Sequence, residues 1–517
     1  MSPARRAQVG RALSAGGAVL NSPPAAQRAL TILGAAAFAT LLGGCGGGDH
    51  GSPAEAPRAL PEGRKLVIFE PGPIYLSGPL REETLDQIVE LGVNAVRVTI
   101  YWNDVAPAAE PARWDPADPA ELRYDFAAYD DFMRAAAARN LQVLMTVAGP
   151  APLWGTHDGS NELSPDPDQF GAFARAVAGR YRGGFDPDGE GGDADLPAVA
   201  IWSVWNEPNI SLFLQPQLAD GVPYSPILYR RLYLAAQEAI ASADAGAPIL
   251  IGETAPTRGA DGVDPIPFAR GVLCLDPDAR VDPACQDGGI DAAGWATHPY
   301  GTGGTPPFED PPGPGFVTFP SLANLESVLD AAAAAGQVEG GLPVYVTEYG
   351  VQSRPDPIGV PLQTQADYLS ISERLAYADP RIASYAQYLL RDDPRDRVPG
   401  QDFGGFESGL RFEDGGPKPS FDSFRLPLVV RREGDRVHLW GLVRPATEAT
   451  EVEIRVVDGG RERTLETVET DDAGIFELES DYRDGRLWQV AWTDPDGREF
   501  TGALTRSYSF EDPHGGA

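Results

Sequence analysis

Between residues 65 and 390 the chain alternates two hydrophobic patterns. Short, nearly unbroken apolar runs stand at "KLVIFE" (65–70), "NAVRVTI" (94–100), "LQVLMTV" (141–147), "AVAIWSVWN" (198–206), "PILIGE" (248–253), "GWATHPY" (294–300), "LPVYVTEYG" (342–350) and "IASYAQYLL" (382–390). Between them lie longer stretches with apolar residues at helical spacing, at 80–92, 124–140, 167–183, 224–244, 321–336 and 363–379. A run that is apolar on both faces predicts a strand covered on both sides, the condition of a parallel sheet flanked by helices. Eight such runs, with helices between nearly all of them, predict a closed (β/α)8 TIM barrel of the α/β class. A doubly wound open sheet is the competing architecture, but the chain lacks the Gly-rich phosphate loop that would follow its first strand.

Beyond "GPKPSFDSFRLP" (416–427) the period shortens. Alternating segments such as "TEVEIRVVD" and "RLWQVAWTD", broken by Asp-Gly and Gly-Gly turns, predict a small all-β sandwich over 427–517, after a barrel domain over 63–426. Trp440, Trp488 and Trp492 offer sugar-stacking faces in such a module, although aromatics in a small sandwich more commonly fill its core.

The N-terminus carries a different signal. Arg5, Arg6, Arg11 and Arg28 precede "ALTILGAAAFATLLGGC", which is about as long as a signal-peptide apolar region and short for a spanning helix. It ends in Leu42-Gly43-Gly44-Cys45, which resembles the lipobox of bacterial lipoproteins, in which the cysteine becomes the lipidated first residue. By that resemblance residues 1–45 are a lipoprotein signal, Cys45 carries the lipid, and the Gly/Pro-rich residues 46–62 form a tether at the cell surface. An exported chain meets an oxidising environment, so Cys274 and Cys285 in "CLDPDARVDPAC" are expected to form a local disulfide.

With 75 acidic against 41 basic residues the formal charge is −34, which argues against a nucleic-acid partner. The acid-rich loops "DPDGEGGDAD" (186–195) and "DPDARVD" (276–282) do not fit EF-hand spacing and are expected to be solvated.

Two acids stand apart from the rest. Glu207 in "WSVWNEPN" and Glu348 in "YVTEYG" follow the fourth and seventh predicted strands, at the end of a barrel where active sites lie. Paired carboxyl groups on rigid supports suit glycosidic-bond cleavage, with one acid protonating the leaving oxygen and one carboxylate attacking the anomeric carbon.

Asn206-Glu207-Pro208 after strand four and Glu348 after strand seven resemble clan A of the glycoside hydrolases, retaining (β/α)8 enzymes. "WNEPN" and "HPY" together look most like family 39 or family 5. The resemblance covers roughly residues 65–425 and implies Glu207 as acid/base, Glu348 as nucleophile and Asn206 as a ligand of the sugar 2-hydroxyl. It further implies that Arg97 orients the nucleophile, that His298 and Tyr300 contact substrate or nucleophile, and that no metal or organic cofactor is needed. Where many clan members have a tryptophan after strand eight, this chain has "YAQYLLRDD"; Trp102 and Trp154 are alternative stacking faces, with loop packing as their other reading. The expected partner is an oligo- or polysaccharide met by a monomer held to the membrane only through lipid. A transglycosylase with the same residues, or a catalytically silent glycan-binding protein, are the competing functions.

Overall fold

The structure is a computed structural model that describes residues 63–511 apart from 73–75, 77, 188, 190–194, 283–287, 302–303 and 399–400. Cys45, the apolar N-terminal segment, the tether and Cys285 lie outside the described residues. Cys274 is buried after the helix Pro265–Val272.

The eight apolar runs form one closed parallel barrel: β1 (Leu66–Glu70), β2 (Ala95–Tyr101), β3 (Gln142–Ala148), β4 (Ile201–Val204), β5 (Ile249–Thr254), β6 (Gly294–Thr297), β7 (Val344–Val346) and β8 (Ile382–Tyr388). Neighbours follow chain order, and β1 closes the ring on β8 with Leu66 opposite Ser384 and Glu70 opposite Tyr388. Alternation along β2 sends Arg97 into the lumen, where it meets side chains of other strands, with apolar Val96 and Val98 as its neighbours in sequence.

The outer layer comprises α1 (Pro79–Glu90), α2 (Ala127–Ala137), α3 (Pro167–Tyr181), α4 (Ser225–Ala243), α5 (Pro265–Val272), α6 (Leu322–Ala334) and α7 (Leu362–Ala378). The start of α3 shows the local logic: Asp166 accepts from the amides of Asp168 and Gln169, and Pro167 fills the first turn, where no amide is needed. The sequence pattern gives α5 as loop, because a segment of only 8 residues with two prolines shows too few helical repeats to register. No helix among the described residues is long and apolar enough to cross a membrane.

After the short helix α8 (Pro419–Arg425) come two antiparallel sheets. One orders β9 (Leu428–Glu433), β10 (Arg436–Leu442) and β13 (Ile475–Asp481); the other orders β12 (Arg461–Glu469), β11 (Glu451–Asp458), β14 (Leu487–Thr493) and β15 (Glu499–Thr501). Leu439, Val452, Ile454, Phe476 and Val490 fill the space between them, so the sheets share one core. Trp440, Trp488 and Trp492 are buried; Trp488 and Trp492 join this core, whereas Trp440 packs with the core of the barrel.

This β region docks on α7. Arg444 forms a bidentate pair with Glu373 at 2.8 and 2.6 Å and donates to the Phe424 carbonyl at 2.7 Å, with both charged side chains removed from solvent. Thr505 and Tyr508 each donate to Asp367 at 2.7 Å, and Trp440 packs on Tyr377.

Candidate active site

The strand ends of β1, β4, β5 and β7 deliver four glutamates, Glu70, Glu207, Glu253 and Glu348, to one cluster around two bases, Arg97 and His298. Arg97 is fully buried and reaches five strands or their ends. Its Nη1 donates to Glu348 at 3.1 Å and to Glu70; Nη2 donates to Asn206 at 3.0 Å and Glu253 at 3.2 Å; Nε donates to Thr146 at 3.0 Å. His298, just past β6, places Nε2 at 2.7 Å from Glu253 and Nδ1 at 3.1 Å from Glu207. Tyr300 donates its hydroxyl to Glu348 at 2.7 Å. The six predicted residues Glu207, Glu348, Asn206, Arg97, His298 and Tyr300 therefore share one hydrogen-bonded site.

The backbone is shaped to present these groups. Trp205 and Glu207 have φ of 70° and 42°, a left-handed conformation that L-residues seldom adopt outside constrained sites. It is held by the Trp205 amide on the Val147 carbonyl and the Glu207 amide on the Glu253 carbonyl, both at 2.8 Å. Gly149 gives the Trp205 indole its room, since a Cβ there would lie 2.4 Å from the ring. Asn209, the last residue of "WNEPN", accepts from the Ala255 amide and donates to the loop after β5, tying the two loops together.

Glu253 enters the lumen through a bulge. The β5–β6 register runs Gly252 to Ala296 and then Thr254 to Thr297, so Glu253 is the extra residue, at φ 47°. Gly252, at φ 114°, leaves no space for a side chain: a Cβ would sit 2.5 Å from the Ala296 carbonyl oxygen. The re-aimed carboxyl accepts from Thr347 at 2.7 Å and from Ser203, besides His298 and Arg97.

Neither Glu253 nor Glu70 is anticipated by the sequence reading, although the signal was the same one. "KLVIFE" and "PILIGE" each end an apolar strand in glutamate, as the runs before Glu207 and Glu348 do. An acid closing an apolar strand is thus twice as common in this barrel as the pair alone implies.

Electrostatics set Glu253, Glu207 and Glu70 apart from one another. Burial would raise Glu253, but Arg97 and hydrogen bonds from His298 and Ser203 outweigh it and hold its carboxyl at about 2. Burial would lower His298, yet Glu348 and the hydrogen bonds to Glu207 and Glu253 lift it to about 10, so the ring is a cation. Glu207 is pushed up by burial, against the opposing pull of His298. Burial likewise raises Glu70, to about 7, against Arg97.

Glu207, His298 and Glu348 bring one potential ligand atom each to within 4.8 Å of one another, the one such group among the described residues. Nδ1 of His298 and the Glu348 carboxylate already have hydrogen-bond partners within the cluster, which fill these positions without an ion.

Trp102 is a correction. Its ring is 0% exposed, stacked on Phe173 at 5.5 Å and 10°, and so presents no face to a sugar. Trp154 meets Trp102 and Trp114 edge-on and donates Nε1 to the Pro107 carbonyl at 2.8 Å, contacts of loop packing rather than of the acid cluster. Tyr300, Tyr349, Tyr388 and Phe406 pack beside the cluster, Tyr300 stacking on Tyr349 at 5.9 Å and Phe406 meeting Tyr388 at 4.8 Å; of the four, Phe406 is the partly exposed one.

No family model and no curated protein matches the chain. Among solved structures it is similar to a glucosidase from Croceicoccus marinus, with 14% identity, 83% of this chain and 95% of that chain covered, and a TM-score of 0.50. A monomeric β-xylosidase from Caulobacter crescentus CB15 gives 15% identity, coverage of 87% and 98%, and a TM-score of 0.47. A GH5_18 protein from Bifidobacterium longum subsp. longum gives 15% identity, coverage of 70% and 78%, and a TM-score of 0.44. The closed eight-stranded barrel fits the fold of the clan A glycoside hydrolases, and the chain shares that fold with the Croceicoccus glucosidase.

Proposed function

We propose that the chain is a glycoside hydrolase that cleaves O-glycosidic bonds with retention, using Glu207 as acid/base and Glu348 as nucleophile. The observation that carries this reading is the close approach of the two carboxyls, whose nearest oxygens lie within 4.8 Å of each other. Retaining enzymes hold their carboxyls about 5–5.5 Å apart, whereas inverting enzymes leave about 6.5–9.5 Å for a water.

The surroundings support opposite roles. Burial raises the proton affinity of Glu207, which suits it to protonate the glycosidic oxygen as the bond to the anomeric carbon breaks. Glu348 attacks that carbon as a carboxylate, with Oε2 accepting from Arg97 and Oε1 from Tyr300, so its attacking geometry is set before substrate arrives. A glycosyl-enzyme forms and the aglycone leaves. Glu207, now ionised, takes a proton from water, which attacks the anomeric carbon and frees Glu348. In this reading Asn206, which accepts from Arg97, binds the sugar 2-hydroxyl.

The remaining parts of the proposal rest on sequence: a lipid on Cys45, export to the cell surface, a Cys274–Cys285 disulfide, a saccharide substrate and a monomeric chain. The catalytic reading is tested by leaving-group dependence. Glu207→Ala should lose most activity on aryl glycosides with poor leaving groups, keep more on activated ones, and regain turnover with azide; loss that is equal for all leaving groups and unresponsive to azide contradicts it.

A further inference from the structure

Nη1 of Arg97 serves two carboxyls, Oε2 of Glu348 at 3.1 Å and Oε2 of Glu70. Glu70 closes β1, is 6% exposed, and takes no part in the two-step reaction above. We propose that Glu70 is a positioning residue that acts through Arg97: as a neutral acid it leaves the guanidinium to Glu348, and as a carboxylate it draws that guanidinium toward β1 and slows attack. This rests on the reading of Glu348 as nucleophile.

Three observations support it. The shared nitrogen is geometric and direct. Arg97 is enclosed, so solvent does not screen one carboxyl from the other across it. The charge balance is also tight, since Arg97 and His298 are two cations facing four carboxyls, and burial disfavours any third or fourth negative charge. Glu70 faces Arg97 and Tyr101 of β2, His298 after β6, Glu348 after β7 and Tyr388 of β8, while Asp104 and Tyr129 line the same cavity of about 160 Å³. Of these groups only Arg97 and His298 oppose the burial that pushes Glu70 up to about 7.

Glu70→Gln tests the idea, because glutamine keeps an acceptor for Arg97 and cannot ionise. In the wild type kcat/KM should fall on the alkaline side with a component near pH 7; in the variant that component should vanish. The ratio of activity at pH 8 to that at pH 6 should then rise by up to about tenfold, the effect of one group a unit past its pKa.

A second readout needs no activity. A carboxyl raised from 4.5 to about 7 contributes stability fully present below the unfolded value and lost as pH rises through the folded one. The Tm of Glu70→Gln relative to wild type should therefore climb between those values and level off above. Superimposable pH–rate profiles overturn the inference, whether or not the Tm difference moves. Glu348→Gln separates the two claims: if it is as active as wild type, or the wild type cleaves no glycoside, the catalytic reading fails and takes this inference with it. If Glu348→Gln is inactive while Glu70→Gln keeps the wild-type profile, only the role of Glu70 is lost.

Discussion

Nη1 of Arg97, on the second strand, lies 3.1 Å from Oε2 of Glu348, beyond the seventh, so a single guanidinium spans the barrel to the proposed nucleophile. The same group pairs with Glu253 and Glu70, and its removal leaves several buried carboxyls without their cation. Arg97→Met should cost about 3–5 kcal/mol in urea unfolding, the range for breaking a buried ion pair from one side. Arg97→Lys should recover only part of this, since a point ammonium cannot fork to five partners. Equal stability of all three proteins contradicts the account.

His298 predicts a pH signature in stability. Its folded pKa is raised to about 10 from 6.5, so its contribution is fully present below pH 6.5 and is lost as pH rises through about 10. The stability gap between wild type and His298→Asn should be widest near pH 6 and narrow steadily at pH 8 and 10. A gap that does not change with pH shows that folding leaves the pKa of the ring unshifted, and one that shrinks as pH falls below 6.5 shows a ring held neutral; either contradicts the account.

The β region is held by the Arg444–Glu373 pair, whose side chains are 0% and 2% exposed. Arg444→Met alone should destabilise the whole chain by about 3–5 kcal/mol, because Glu373 then lies buried without a partner. Adding Glu373→Gln should restore much of the loss. Unfolding in two separate transitions for wild type, with the mutations affecting only the second, contradicts the tight docking described above.

Trp102→Ala should cost about 3–5 kcal/mol through the cavity it leaves. Trp102→Phe, still stacked on Phe173, should leave KM for a saccharide unchanged, whereas Phe406→Ala should raise it. The reverse pattern reinstates Trp102 as a sugar platform.

The barrel was readable in the sequence because each strand is apolar on both faces, a pattern that survives whatever the loops do. Glu207 and Glu348 were readable for the same reason, as polar residues ending apolar runs. Glu70 and Glu253 carry the same mark, but the family motif singles out only the acids after strands four and seven. The bulge that aims Glu253 inward depends on a register slip against β6, which no single strand's sequence expresses. Trp102 was misjudged because its position after strand two is correct for a stacking residue, while its burial is decided by Phe170 and Phe173 on α3, far away in the chain.

The central claim is double displacement on Glu348 with Glu207 as the proton donor. The most direct test is to follow aryl α- and β-glycoside hydrolysis by proton NMR with wild type, Glu348→Gln and Glu207→Gln, recording the anomer released first. The account predicts a first-formed sugar of the same anomeric configuration as the substrate, and a loss of roughly 10²–10⁴ in rate for each variant. A first product of inverted configuration, or either variant retaining wild-type rates, would contradict it.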